Sequence, residues 1–330
     1  MVPAWVVPTL SFSVALGLTL GASTWFIRLL EGVSDQWHLS AGLLSFVSAV
    51  GANIPNYGAS LAAFVSGQGI LGLGIIIGSN LYNLAIILSL SILVTPGRHG
   101  ITLSLHEMRD VRRVGWFATL MGITTLLAFV VLIVPQRLAR LDALGVNGIT
   151  LILFMGITWH AFQRNPDLRA SRSVPNIGPR STPSRQIMLI LCALLLAMGG
   201  VIGMVQAGQR DAAIIHLPPA LLSLVVLAVA TSLPNTVVAY QLARTARGST
   251  CVEEVLSSNS INIAFGSALP LLIWPVPLIS STLVTFDTPL LCVLGFVVLS
   301  SVSHKRLSRL VGYALGAGYI LWVLAHVLLH

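Results

Sequence analysis

The chain is 330 residues long, 55% hydrophobic and only 8% charged, with a mean hydropathy of +0.91 and a formal net charge of +8. A soluble domain carries about 25% charged residues, so a water-soluble globule is excluded. The basic excess does not indicate nucleic acid, because it sits in short breaks between apolar runs, where it orients a membrane protein.

Runs long enough to cross a hydrocarbon core of roughly 30 Å recur from end to end. They predict ten spans, at about 4–27, 41–64, 70–94, 114–135, 143–162, 186–206, 217–242, 251–273, 284–303 and 308–328. The opening MVPAWVVPTL lacks a basic n-region and a small-residue cleavage site, so it reads as the first span rather than a signal peptide. The longest break, 163–185, is rich in Pro, Ser and Arg. It divides the chain into a first five-span repeat (1–162), a linker (163–185) and a second five-span repeat (186–330). The start of the ninth span is poorly marked, because Asp287 and Pro289 lie there. Cys192, Cys251 and Cys292 fall singly on three apolar stretches and read as packing residues rather than disulfide or metal partners.

Basic residues settle the expected orientation. Breaks after odd-numbered spans carry 15 of them, among them Arg98, Arg109, Arg112, Arg113 and five in the linker. Breaks after even-numbered spans carry Arg137, Arg140 and Arg210. Both termini are therefore expected outside a cell membrane and the linker in the cytoplasm. Five spans per half then force the halves to run in opposite directions, an inverted repeat.

Polar residues repeat with that division. Pro55-Asn56 returns as Pro234-Asn235, and Ser79-Asn80-Leu81-Tyr82-Asn83 returns as Ser258-Asn259-Ser260-Ile261-Asn262, each 179 positions on. Proline lacks a donor and disfavours helix in the residue before it, so Pro55 and Pro234 are expected to break spans 2 and 7 near their middle. Asn53 and Asn56, then Thr231, Ser232 and Asn235, offer oxygens beside each break. Ser79 and Asn83, like Ser258 and Asn262, are four apart and share a helix face. In inverted halves these four elements can meet at one point, which makes all nine candidate ion ligands. Helix-packing polars are the competing explanation for any one of them.

The segments GANIPNYGAS…GIIIGSNLYN and ATSLPNTVVA…VLSSNSINI resemble the two alpha repeats of the cation/calcium exchanger superfamily, which includes the sodium/calcium exchangers. The resemblance implies an all-α membrane antiporter of ten helices in which spans 2, 3, 7 and 8 hold the ions. Carried over by position, the ligand set is Ala52, Asn53, Asn56, Ser79 and Asn83, then Thr231, Ser232, Asn235, Ser258 and Asn262. It also implies that spans 1 and 6 move against the rest. The departures are large. The glutamate after each proline is Asn56 here and Asn235 there, and the acidic option at the end of the second repeat is Asn262.

None of the ten acidic residues falls mid-span. Calcium takes six to eight oxygens, several usually anionic. Amides and hydroxyls suffice for a monovalent cation, and an amide does not titrate. The expected cargo is therefore an inorganic monovalent cation, sodium preferred, at a carboxylate-free site. One carboxylate could assist: Glu254, four residues before Ser258, although it could equally cap the start of its helix. The histidines read as loop or terminal residues without metal spacing. Tyr57 and Tyr82 adjoin the site and could line it or simply pack. No triad, HExxH helix or phosphate-binding loop appears, so no enzyme, cofactor or resident metal is expected, and the partners are the bilayer and the cation. Two other readings stand beside this one. They are a transport-inactive or regulatory protein on the same scaffold, and a carrier of a neutral or anionic solute.

Overall fold

The computed structural model describes residues 3–37, 49–133, 139–163, 183–274, 276 and 282–329. Most of the linker 163–185 and the first third of the second span, 41–48, lie outside the described residues. The regular structure of the described residues is helical except for two short antiparallel strands, Ile101–Thr102 and Arg306–Leu307, which pair the break after span 3 with the break after span 9. Among the described residues nine helices are long and apolar enough to cross a membrane. In order, the spans are Val6–Trp37, a second ending in Ile54–Val65, Gly69–Val94, Leu105–Ile133, Ala139–Gln163, Pro183–Ile214, Pro219–Arg244, Gly248–Ile273, Leu283–Ser303 and Arg309–Leu329. This is an all-α, multi-pass membrane protein of two inverted five-helix repeats.

Helix ends differ from the sequence expectation where polar turns continue the helix beyond the apolar run. Span 1 reaches Trp37 instead of residue 27, and span 6 runs from Pro183 to Ile214 instead of 186–206. Hydropathy marks where the chain crosses lipid; a helix can extend into the interface, where water meets its last carbonyls.

The packing follows the inversion. Spans 1 and 6 lie along one another, as equivalents across the two halves. Span 5 packs against the late part of span 8, and its counterpart, span 10, packs against the late part of span 3. Spans 3 and 8 form the core. The stretch Gly69–Val94 has most of its residues buried, while spans 1, 4, 5 and 6 turn Leu10, Val14, Leu127, Ile152, Met155 and Leu195 outward. Apolar side chains facing out and amides facing in is the arrangement a bilayer demands. The approach of span 3 to span 7 is close enough to need Gly78. A Cβ there would sit 2.1 Å from the Leu224 carbonyl oxygen.

The two prolines act differently, which corrects one expectation. In span 2 the helix does break. Asn53 stands outside the helical turn, a new helix starts at Ile54, and Pro55 occupies its first turn, where a missing donor costs nothing. The N–H groups of Asn56 and Tyr57 both reach the Asn53 carbonyl, at 3.0 and 3.2 Å. Span 7, by contrast, stays helical through Pro234, from Ala228 to Arg244. Its irregularity falls earlier, as a wide π-type turn at Leu222–Leu227. Pro234 cannot donate to the Ala230 carbonyl one turn back, and the neighbouring hydroxyls bond other carbonyls of the helix: Thr231 donates to Leu227 at 2.8 Å and Thr236 to Ser232 at 3.0 Å.

Candidate functional site

Opening span 2 at Asn53 frees that residue to act as a hub. Its carboxamide nitrogen donates to the Ala49 carbonyl at 2.9 Å and to Ser258 Oγ at 3.1 Å. Its oxygen accepts from Asn235 Nδ2 at 2.8 Å and, more weakly, from Asn56 Nδ2 at 3.4 Å. Asn56 Oδ1 in turn faces Ser79 and Ser232 hydroxyls, each at 3.3 Å, and Ser79 Oγ lies 3.5 Å from Thr231 Oγ1. Seven of the nine predicted ligands thus meet in one connected cluster drawn from spans 2, 3, 7 and 8. All seven are buried, none more than 1% exposed. Two cross-repeat contacts, Asn235 to Asn53 and Ser232 to Asn56, exchange places under the 179-residue equivalence, so an approximate two-fold axis runs through the cluster.

The remaining two predicted ligands, Asn83 and Asn262, belong to an adjoining layer. Asn80 and Asn259 are 179 residues apart and each donates its side-chain N–H to the other's backbone carbonyl, at 3.2 and 3.1 Å. Asn83 donates to Asn259 Oδ1 at 2.8 Å and Asn262 to Asn80 Oδ1 at 3.0 Å. Four asparagines therefore clamp spans 3 and 8 together on the same axis. Both spans then widen into π-type turns, Asn83–Ile87 and Ala264–Ala268, at nearly equivalent positions. Asn80 and Asn259 were present in the repeated motif, but spacing alone did not single them out. Four-residue spacing aligns Ser79 with Asn83 and Ser258 with Asn262, and leaves the asparagine between them unassigned.

The satisfied and unsatisfied atoms divide by kind. All seven asparagines of the two layers have an amide nitrogen that donates a hydrogen bond. The buried atoms there without a partner are oxygens: Asn83 Oδ1, Asn235 Oδ1 and Asn262 Oδ1, with Glu254 Oε2 beside them. Buried acceptors left bare cost about 1–3 kcal/mol each, and a cation satisfies them in a way that an anion cannot.

Glu254 does not cap its helix, which begins at Gly248, nearly two turns earlier. Its Oε1 accepts from Ser258 Oγ at 3.1 Å, and Ser258 Oγ accepts from Asn53, so one hydroxyl links the carboxylate to the hub. Of the two tyrosines, Tyr57 packs on Phe265 with ring centroids 5.7 Å apart. Tyr82 packs on Tyr319, and its hydroxyl accepts from Thr236, one turn beyond Ser232. One histidine departs from expectation. His326, read as a terminal residue, is fully buried against Asp287, because the tenth helix packs its last turns on the ninth. Among the described residues no three His, Cys, Asp or Glu side chains group as a metal site.

A family model described as sodium/calcium exchanger protein matches residues 7–162 and 185–328. Among solved structures, the chain is similar to the sodium-calcium exchanger NCX_Mj soaked with 10 mM Na+ and zero Ca2+. The TM-score is 0.62 at 18% identity, over 96% of this chain and 98% of that one. It is also similar to native YfkE, with a TM-score of 0.69 at 15% identity, over 98% and 96% of the respective chains. A search of curated proteins found no match.

Proposed function

We propose that this chain, which belongs to the sodium/calcium exchanger protein family, is a secondary cation antiporter whose buried site takes a monovalent cation, sodium foremost, in preference to calcium. Membership supports cation transport across a membrane. The finer choice rests on one observation: the positions after Pro55 and Pro234 hold Asn56 and Asn235, whose amides lie in one buried, uncharged cluster where Asn235 Oδ1 and, beside it, Glu254 Oε2 accept no hydrogen bond. A dication there would have two charges to neutralise in a poorly solvating interior, against amide dipoles and one carboxylate set back behind Ser258. A monovalent cation needs less, and carbonyl and hydroxyl oxygens suffice for it.

Alternating access supplies the transport step. Span 2 is already divided at Asn53, so the two ends of that span reorient about the hub without breaking a continuous helix. Spans 1 and 6, packed on one another at the side of the core, are the pair proposed to move. The proposed orientation has both termini outside and the 163–185 linker in the cytoplasm, following the arginine distribution.

Purified protein in liposomes tests this reading with tracer flux under imposed gradients. Sodium uptake driven by an outward sodium or potassium gradient is expected, with little calcium uptake. Glu254→Gln should raise the sodium concentration for half-maximal flux roughly tenfold, because a carboxylate one hydroxyl away contributes field at the site even without direct contact. Gradient-driven calcium flux exceeding sodium flux would refute the ion assignment. Unaltered half-saturation in Glu254→Gln would remove the carboxylate from the site.

A further inference from the structure

One strongly basic feature takes no part in the cation site: the clip where the break after span 3 meets the break after span 9. Ile101–Thr102 and Arg306–Leu307 pair antiparallel there, and the Leu103 N–H adds a bond to the Lys305 carbonyl at 2.9 Å. Side chains alternate between the faces of a strand. Ile101 and Leu307 are accordingly buried, while Thr102 and Arg306, in register with one another, are exposed. The pairing needs Gly100, which has φ +78° and where a Cβ would lie 2.3 Å from the Leu307 carbonyl oxygen. Two guanidinium groups are fixed from behind. Arg306 donates through Nε to the His99 carbonyl at 3.3 Å, and its Nη2 lies 3.0 Å from His99 Nδ1. Arg309 Nη2 donates to the Gly97 carbonyl at 2.9 Å. Arg98, exposed, lies between the two residues that hold them.

Membrane orientation calls for basic residues in these breaks, but not for fixed geometry or a lack of counter-charge. Residues 95–104 and 304–308 contain no Asp or Glu. Arg98, Lys305, Arg306 and Arg309 form no ion pair with a described carboxylate. Glu107, the next acid along the chain, is engaged elsewhere. Its Oε2 accepts from the Ser104 N–H at 2.8 Å, and its Oε1 accepts from the Ser249 hydroxyl at the start of span 8. Asp110 lies 3.0 Å from His106. Four cations on one small clip repel one another until an anion joins them, and planar guanidinium forks suit phosphate oxygens.

The surface that continues from the clip distinguishes a lipid from a free phosphate. The tenth helix begins at Arg309, and its positive end adds to the same field. From there Leu310, Tyr313, Ile320, Leu321 and Leu324 are exposed along one helix face, while Gly312 on the opposite face meets Ile92 of span 3. Tyr313, one turn in, has the amphipathic ring favoured at headgroup depth. We propose that the clip binds the phosphate of an anionic phospholipid, with Arg306 and Arg309 as fixed donors and Arg98 and Lys305 as outer charges. The acyl chains lie along the exposed face of span 10. The bound lipid ties together the ends of spans 3, 4, 9 and 10, where the first half of the chain meets the second.

Purified protein in zwitterionic micelles, titrated with dioctanoyl phosphatidylglycerol, should gain thermal stability saturably. Dioctanoyl phosphatidylcholine should give no such gain, and neither should inorganic phosphate at the same concentrations. Arg98→Gln with Lys305→Gln removes two charges from side chains that hold no hydrogen bond to described residues, so the lipid-free melting temperature should match the wild type. Each cation near an anionic surface is worth roughly fivefold in affinity, so half-saturation should need at least about tenfold more phosphatidylglycerol. Arg112→Gln with Arg113→Gln removes the same charge from exposed positions on span 4 at that end of the bundle, and should shift half-saturation by less than about threefold. Equal losses in the two pairs would mean diffuse attraction and overturn the site. Saturation by inorganic phosphate alone would overturn the lipid, and a wild type indifferent to phosphatidylglycerol would overturn both. The titration needs no transport, so its outcome is independent of the cation assignment.

Discussion

Exchanging Asn56 and Asn235 together for aspartate is expected to turn a weak calcium ligand into a strong one, with calcium affinity rising on the order of a hundredfold or more. The change is nearly isosteric, so packing is conserved and charge is the variable. Two unit charges near 4 Å interact by about 4 kcal/mol at an effective dielectric constant of 20, and a dication between two carboxylates gains several times that before desolvation is subtracted. The same change sets both new carboxylates against Asn53 Oδ1, which accepts from Asn56 and Asn235 in the native cluster. Without a cation the variant is therefore expected to lose thermal stability, and calcium should restore it. Calcium titration of the wild type and the double variant, with melting temperature as a second readout, checks both parts. Equal calcium affinity in the two proteins would mean that these amides do not face the cation.

Truncating the same pair to alanine is expected to abolish sodium flux, by at least a hundredfold, while the protein still folds. The distances explain why the two effects separate. Asn56 is held by contacts of 3.3 to 3.4 Å, longer than the roughly 2.7–3.0 Å usual for hydroxyl and amide donors, so its packing bonds are weak and little stability rests on them. Asn235 contributes one good bond, at 2.8 Å, to Asn53. The combined loss should be about 1–3 kcal/mol. Asn80→Ala or Asn259→Ala is the informative contrast. Those side chains join spans 3 and 8 through reciprocal bonds to backbone, and their loss should lower the melting temperature more than Asn56→Ala does. Melting curves and tracer flux on the same preparations decide it. If Asn56→Ala with Asn235→Ala transports normally, the cluster is packing and nothing more.

The inversion, the four core spans and the convergence of Asn53, Asn56, Ser79, Thr231, Ser232, Asn235 and Ser258 were legible because a duplicated polar pattern in apolar helices has few reasons to exist. What was not legible depended on local backbone choice. Pro55 and Pro234 are equivalent in sequence, yet one starts a helix and the other sits inside one, a difference the shared Pro-Asn dipeptide does not encode. The Asn80–Asn259 clamp depends on how closely spans 3 and 8 cross, which helical periodicity does not encode. Asp287 and His326 are 39 residues apart on a weakly marked span and a chain end, and only packing of the ninth helix on the tenth makes them partners. Glu254 was visible as one turn from Ser258, but whether it capped a helix or joined the hub turned on where that helix begins.

Equilibrium titration of the purified wild-type protein with sodium and with calcium, against choline as the inert cation, is the most direct check on a site built from uncharged oxygens. Saturable sodium binding that disappears in Asn56→Ala with Asn235→Ala, beside weak or unsaturable calcium binding, is the predicted result. Saturable calcium binding tighter than sodium, with both amides in place, would contradict it.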